Sequence, residues 1–178
     1  LHVGNPFAIL HLRGLAPRLL AQARSLGLKT SLDTAWDALG EWMRVLSPSL
    51  PHTDILFANE DEALMLTGTH EHDKVWRFLR KHGATTLVLK CGGRGCYLFQ
   101  GDEVTHVPAY EVDVVDTTGA GDCFAGAFLS ALQRGHSMME AARVANAVGA
   151  LNVQALGATT GLLDWEATMG WLESKGVR

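Results

Sequence analysis

The run Asp54 to Ala58, DILFA, is apolar at every position after its first. A strand with one wet face alternates apolar and polar side chains. A run without alternation fits a strand covered on both faces, and that cover has to come from helices. The flanking segments supply them. Leu15 to Leu26 reads as a helix closed by Gly27, and LKTSLD as a short strand ending at Asp33. DALGEWMRVL predicts a helix up to the Ser47-Pro48 break, and EDEALMLTG and DKVWRFLRKHG predict two more, each stopped by glycine. TTLVLK returns as a strand, the turn CGGRG leads into CYLFQ, and GDE turns the chain into VTHVPA as an antiparallel ribbon. A helix begins near Asp122 and ends at Gln133-Arg134-Gly135. Ser137-Met138-Met139-Glu140 then has the spacing of a capping box and opens a helix running to about Leu156. Strands and helices taking turns make a layered α/β sheet, parallel in its core and antiparallel at its edge.

Composition narrows the function classes. The chain has 178 residues, 47% of them hydrophobic and 19% charged, enough for one domain-sized unit with a sizeable core. Fifteen Lys and Arg against nineteen Asp and Glu leave a net charge of −4. No basic run stands ready to neutralise a phosphate backbone or an anionic lipid, which argues against nucleic acid and membrane partners. No apolar stretch approaches the ~20 residues of a membrane span, and the N-terminus lacks the order of a signal peptide, so the expected location is cytoplasmic. Cys91, Cys96 and Cys123 are odd in number, lack the paired spacing of a zinc site and read as buried reduced thiols. His70 and His72, in THEHDK, fit a solvated helix start. The chain begins on the apolar LHVGNP without methionine, which reads as a fragment starting inside a fold.

The stretch VVDTTGAGDCFAGAFLSAL carries the chemistry. Gly119-Ala120-Gly121 follow a β-branched run and open an apolar helix. Their small side chains let backbone N–H groups approach an anion at the positive end of the helix dipole, and Asp122 places a carboxylate beside it. Asp122 capping the helix, with glycines that merely turn the chain, reads equally well. A Walker loop is excluded because Gly-x-x-x-x-Gly-Lys-Ser/Thr is absent, and the dinucleotide Gly-x-Gly-x-x-Gly fails at Phe124.

DTTGAGDCFAGAF, Asp116 to Phe128, resembles the C-terminal signature of the ribokinase (PfkB) family of sugar kinases, Asp-Thr-x-Gly-Ala-Gly-Asp followed by an apolar helix. ANEDEA supplies the family's Asn-x-x-Glu element as Asn59 and Glu62. LKCGGRGC resembles its Gly-x-x-Gly nucleotide loop, and ANAVGALNVQALGA its last helix and following loop. The resemblance covers nearly the whole chain and lacks the family's N-terminal portion, with its di-glycine signature, most sugar-contacting residues and the β lid. It implies a ribokinase-like layered α-β-α sandwich with a mostly parallel sheet. Residues 1–178 would be the C-terminal catalytic and nucleotide-binding part of a single kinase domain, N-terminal part and lid missing. The implied activity is ATP-dependent phosphorylation of a hydroxyl of a small sugar or nucleoside. The alternative is a truncated or non-catalytic member that binds nucleotide, or only a partner chain, without sugar turnover.

Carried over residue by residue, the resemblance implies that Asp122 accepts the proton of the attacking hydroxyl while the N–H groups of Gly119, Ala120 and Gly121 stabilise the transferring phosphoryl. Asn59 and Glu62 would hold magnesium and the phosphate end of ATP through water. The Gly92 to Gly95 turn would let backbone approach the nucleotide, Lys90 would pair a phosphate, and Asn146 would line the adenine pocket. Asp116 and Thr118, with the carbonyls of Asn152, Ala155 and Gly157, fall where members with a monovalent-cation site such as potassium place ligands. Gly161 stands where such members often add a serine. Plainer readings stay open: Glu62 as an exposed first-turn carboxylate, Lys90 as a surface lysine, Asn146 as an ordinary polar helix residue. Asp33, at the end of the LKTSLD strand, and Trp36, in the following TAWD, are expected to face the cleft. The implied partners are a sugar and ATP. A homodimer of the full-length protein is left open, since family dimers associate through the lid. These residues alone are expected to be inactive.

Overall fold

Six strands hydrogen-bond in the order in which the chain makes them: β1 (His2–Val3), β2 (Ser31–Asp33), β3 (Ile55–Asn59), β4 (Thr86–Lys90), β5 (Cys96–Gln100) and β6 (Glu103–Val107). The first four run parallel, with Leu32 opposite Leu56 and Leu56 opposite Leu87. Parallel neighbours need long crossovers. These carry α1 (Leu10–Ser25), α2 (Met43–Leu46), α3 (Glu60–Thr67) and α4 (His72–Lys81). Only Gly101 and Asp102 separate β5 from β6, a connection that joins antiparallel strands. The chain ends in α5 (Ala120–Gln133), α6 (Met138–Asn152) and α7 (Trp165–Ser174).

The computed structural model describes residues 1–176. They form two compact units, Leu1–Lys90 with Tyr97–Val104, and Cys91–Cys96 with the chain from Thr105 onward. In the first, the unalternating pattern of β3 has the expected cause: Leu56, Phe57 and Ala58 are at most 1% exposed. Leu87, Val88 and Leu89 of β4 are as deeply buried, with Leu20 of α1 and Leu79 of α4 fully buried beside the sheet residues in the core. In the second, α5 and α6 pack on small residues, Ala125, Ala131, Ala141, Ala142 and Ala145, with Phe128 fully buried. No helix among the described residues is long and apolar enough to cross a membrane.

Four elements differ from the sequence expectation. The first helix starts at Leu10 instead of Leu15, after Asn5 Oδ1 has accepted the N–H groups of Phe7 and Ala8. The helix expected over DALGEWMRVL shrinks to Met43–Leu46. The buried carboxylate of Asp37 collects the N–H groups of Leu39, Glu41 and Trp42, and both Gly40 and Trp42 adopt positive φ, so the segment is a carboxylate-centred loop. α6 stops at Asn152 and not near Leu156, because the next turns close at Leu151 and Asn152 carbonyls. α7 was not expected at all; it is capped by Asp164, whose carboxylate accepts the Ala167 N–H at 2.8 Å. Cys91 and Cys96 are buried cysteines outside any disulfide, as expected, and Cys123 is a half-buried one. His72 is more than a solvated helix start: Nε2 lies 2.8 Å from Glu60 Oε1 and the ring stands edge-on to Tyr97.

Candidate active site

Within the first unit, polar groups gather at the carboxyl ends of β2, β3 and β4, where parallel sheets present ligand sites. Asn59 ends β3 and caps α3. Its Oδ1 accepts the Glu62 N–H at 2.8 Å, and Glu62 Oε2 accepts the Asn59 N–H at 2.9 Å, a complete capping box. Glu62 Oε2 also accepts the Thr34 hydroxyl at 2.7 Å. Glu62 is therefore 6% exposed, and the reading of it as an exposed first-turn carboxylate is corrected. Among the described residues only Oε2 of the pair is bonded, which leaves Oε1 to accept from a water of a hydrated magnesium. Lys90, in register with Asn59, is no surface lysine either. Its Nζ donates to both oxygens of Asp33, at 2.7 and 2.9 Å, with the two side chains 13% and 3% exposed. Trp36, by contrast, is 61% exposed and rests edge-on against Trp42.

Within the second unit, the glycine turn opens α5. Gly119 is the N-cap with φ 73°, and a Cβ there would run into the carbonyl of Ala158, with the Ala158 Cα at 2.9 Å. Gly119 is thus demanded twice over, by backbone conformation and by a close approach. Gly121 lies inside the helix, so the left-handed residue of the turn is Gly119. The Ala120 N–H turns back to the Thr117 carbonyl at 3.2 Å, while those of Gly121 and Asp122 have no carbonyl four residues earlier within the helix. Asp122 occupies the first turn and is exposed, and no side chain caps this helix. Among the described residues its carboxylate makes no hydrogen bond or ion pair, so the capping role weighed for it is not what it does.

The residues matched to a cation site come together around the loop that precedes this turn. Asp116 Oδ1 accepts the N–H and the hydroxyl of Thr118 at 2.9 and 2.7 Å, and Oδ2 accepts the Gly157 N–H at 2.9 Å. Those bonds hold the Asp116 carboxyl below the usual carboxylate range. Asn152 donates to the Thr118 carbonyl at 3.1 Å, and Ala155 donates to the Asn152 carbonyl at 3.3 Å. The Oδ1 of Asn152 is buried without a partner, an orphaned acceptor inside this oxygen-rich loop that fits a bound cation. Gly161 has no room for the serine of other members, because its Cβ position meets Asn152 Cα at 2.8 Å.

The nucleotide-loop residues divide. Gly92 has φ 54° and nothing within 4 Å of where a Cβ would stand, whereas at Gly95, with φ 91°, a Cβ would come within 2.6 Å of the Ala109 nitrogen. Gly95 is required by packing, and Gly92 is the one that leaves backbone accessible. Asn146 is 6% exposed and its Nδ2 donates to the carbonyls of Val107 and Pro108, both at 3.0 Å, so its amide nitrogen is engaged inside the fold. Sequence reasoning missed the job of Thr34, which lies 28 residues from the carboxylate it orients and leaves no local signal.

Known proteins bear on the family and the fold. The pfkB family carbohydrate kinase profile matches residues 3–165. Aminoimidazole riboside kinase of Salmonella typhimurium is 36% identical over 132 residues, 71% of this chain and 41% of the relative. 2-Dehydro-3-deoxygluconokinase of Bacillus subtilis is 30% identical over 183 residues, 93% of this chain and 56% of the relative. The chain thus spans roughly half the length of such relatives. Among solved structures, the aminoimidazole riboside kinase of Salmonella enterica, complexed with aminoimidazole riboside and an ATP analog, superposes with a TM-score of 0.85 at 28% identity, over 96% of this chain and 62% of that one. Fructokinase of Vibrio cholerae, in a fructose-, ADP- and calcium-bound form, gives 0.86 at 25% identity over 96% of this chain and 59% of that one. The fold is ribokinase-like α/β, and the chain belongs to the pfkB family of carbohydrate kinases.

Proposed function

We propose that the protein transfers the γ-phosphoryl of ATP to a hydroxyl of a small sugar or sugar nucleoside, with Asp122 as the general base. The observation that carries this reading is the Asp122 carboxylate, exposed and unpartnered among the described residues in the first turn of a helix that opens on Gly119. A first-turn carboxylate that neither caps nor pairs is available to receive a proton. Phosphoryl transfer passes through a loose transition state that asks for positioning and charge stabilisation more than for a strong base, and first-turn N–H groups supply that stabilisation. Those of Gly119 and Gly121 would take this part, and that of Ala120 would have to leave the Thr117 carbonyl to join them.

Magnesium, when bound with ATP, neutralises charge on the β- and γ-phosphates. Glu62 Oε1 and the Asn59 end of β3 would hold its water shell, and Lys90 would pair a phosphate as a point charge. Asp116, Thr118, Asn152, Ala155 and Gly157 would hold a monovalent cation, whose charge would steady the loop before the glycine turn. The named relatives act on different sugars, so the acceptor is a class, small sugars and sugar nucleosides, and not one compound.

The test is Asp122→Asn in the product of the complete coding region, assayed by coupled ADP release over pentoses, hexoses, keto-acid sugars and nucleosides. Asparagine keeps the size and removes the proton acceptor, so turnover should fall by several orders of magnitude with little change in ATP affinity. A variant retaining more than roughly a tenth of the unaltered rate, ~1.4 kcal/mol of barrier, would place the base elsewhere.

A further inference from the structure

Asp33 and Lys90 form an ion pair that the family signature does not mention, and its surroundings are unusual. In the register of the parallel strands, Asp33 aligns with Phe57, and Lys90 aligns with Asn59, two residues farther along β3. Cross-strand partners and residues two apart share a face, so Asp33, Phe57, Asn59 and Lys90 stand on one side of the sheet. The Lys90 side chain must cross β3 to reach Asp33 on β2, over a fully buried Phe57. Both carboxylate oxygens accept from the ammonium, at 2.7 and 2.9 Å. The next residue along, Thr34, donates to the Glu62 Oε2 that also closes the Asn59 box. Two polar groups, Lys90 with Asp33 and Thr34 with Glu62 and Asn59, therefore stand one residue apart at the carboxyl ends of these strands.

Such a pair is a poor device for stability. Taking two charges out of water costs about as much as their attraction returns, and an apolar pair of similar size serves a core at least as well. At the carboxyl edge of a parallel sheet, a held cation serves a ligand better than a core. Lysine is a flexible point charge, and holding it in place removes an entropy cost when an anion arrives. An ammonium has three donors, and two are accounted for by Asp33.

We infer that Asp33 is a positioning residue for nucleotide phosphate, acting through Lys90, with Thr34 setting the neighbouring Glu62 carboxylate in the same way. This rests on the kinase reading above. Asp33 touches no phosphate itself; it fixes the ammonium at the carboxyl ends of β2 and β3 so that a polyphosphate meets a cation already held.

The experiment is a double-mutant cycle on the product of the complete coding region: Asp33→Asn, Lys90→Met and both together. Thermal melting is read alongside calorimetric titration with MgATP and with adenosine. Each single variant takes an ion-pair partner away from a buried charge and should melt about 10 °C lower, whereas the double variant should recover most of that loss. Affinity for MgATP should fall tenfold or more in each single variant, and no further in the double than in Lys90→Met alone, because Asp33 acts through the lysine. Affinity for adenosine, which has no phosphate, should stay the same in all four proteins. A structural tie would behave otherwise: MgATP affinity would follow the melting temperature and return in the double variant. That result, unchanged MgATP affinity in the singles, tighter binding in Asp33→Asn, or additive losses would each overturn the inference while leaving the kinase reading intact. Failure of the unaltered protein to bind MgATP at all would overturn both.

Discussion

At Gly119 a side chain is opposed by two independent forces, which makes it the sharpest residue-scale test of the turn. Its φ of 73° lies in the left-handed region, where an L side chain costs ~1–2 kcal/mol, and the Ala158 backbone occupies the space a Cβ would need. Gly119→Ala should therefore destabilise the fold by about 2 kcal/mol or more in urea titration and abolish turnover. Gly126 is the matched control: it sits inside the same helix, is exposed, and has nothing within 4 Å of its Cβ position. There the backbone entropy of glycine is the only term, so Gly126→Ala should stabilise by ~0.5–1 kcal/mol with activity retained. Equal losses at both positions would mean that α5 tolerates no methyl group anywhere and that the turn is not special. Gly121, being helical, tests something else. A valine there adds no left-handed strain, and on the anion-cradle reading its branched side chain would crowd an anion at the first-turn N–H groups, so it should keep the fold and lose ATP turnover. Undiminished binding of an ATP analogue with normal turnover would remove the anion-cradle reading.

Elements whose instructions are local were legible, and α6 shows how. Ser137 Oγ accepts the Glu140 N–H while Glu140 accepts the Ser137 N–H at 2.7 Å, both halves of the box that the four-residue spacing predicts. Ser137→Ala should lower the melting temperature by about 2–4 °C, and a melt unchanged by it would mean that tertiary packing alone sets this helix end. Asn59 and Glu62 form the same box, although they are singled out through the family resemblance and not through their capping spacing, and glycine in the left-handed conformation ends α3 at Gly68 as expected. The loop over residues 34–42 was illegible because its organiser, Asp37, competes with the helix for N–H groups, a contest that apolar spacing does not reveal. α7 was overlooked although Asp164 before a tryptophan-bearing run was a readable start signal. Within the candidate site, motif residues were legible one by one, while what joins them was not. Asp33 meets Lys90 across 57 residues and Thr34 meets Glu62 across 28, distances over which a single sequence carries no pairing information.

Across the whole molecule, protons bound differently by the folded and unfolded chain bend stability with pH at both ends. On the acid side, burial alone would raise Asp37, but the Arg13 guanidinium and the N–H groups of Trp42 and Leu39 outweigh it and hold the carboxyl below its ordinary 3.8. Asp116 and Glu140 are likewise lowered, by hydrogen bonds from Thr118 and Gly157 and from Ser137. A lowered carboxyl contributes stability that is present above its unfolded pKa and lost as pH falls through the folded one, so the acid limb should drop from about pH 4 downward. On the alkaline side, burial pushes the Cys96 thiol from 9.0 up to about 12, with Cys91 nearby adding to the rise and Asn146 opposing it. The unfolded chain then releases a proton that the folded chain keeps, and stability contributed by Cys96 is full below pH 9 and lost as pH climbs toward 12. Urea denaturation from about pH 3 to about pH 11 should trace a plateau between these limbs. Cys96→Ala should lower the plateau by the cavity it opens, since Cys96 is fully buried, yet fall less steeply than the unaltered protein above about pH 9. Parallel alkaline limbs in the two proteins would show that Cys96 does not carry the high-pH loss and would pass that role to Tyr110, which burial also raises above its ordinary 10.0.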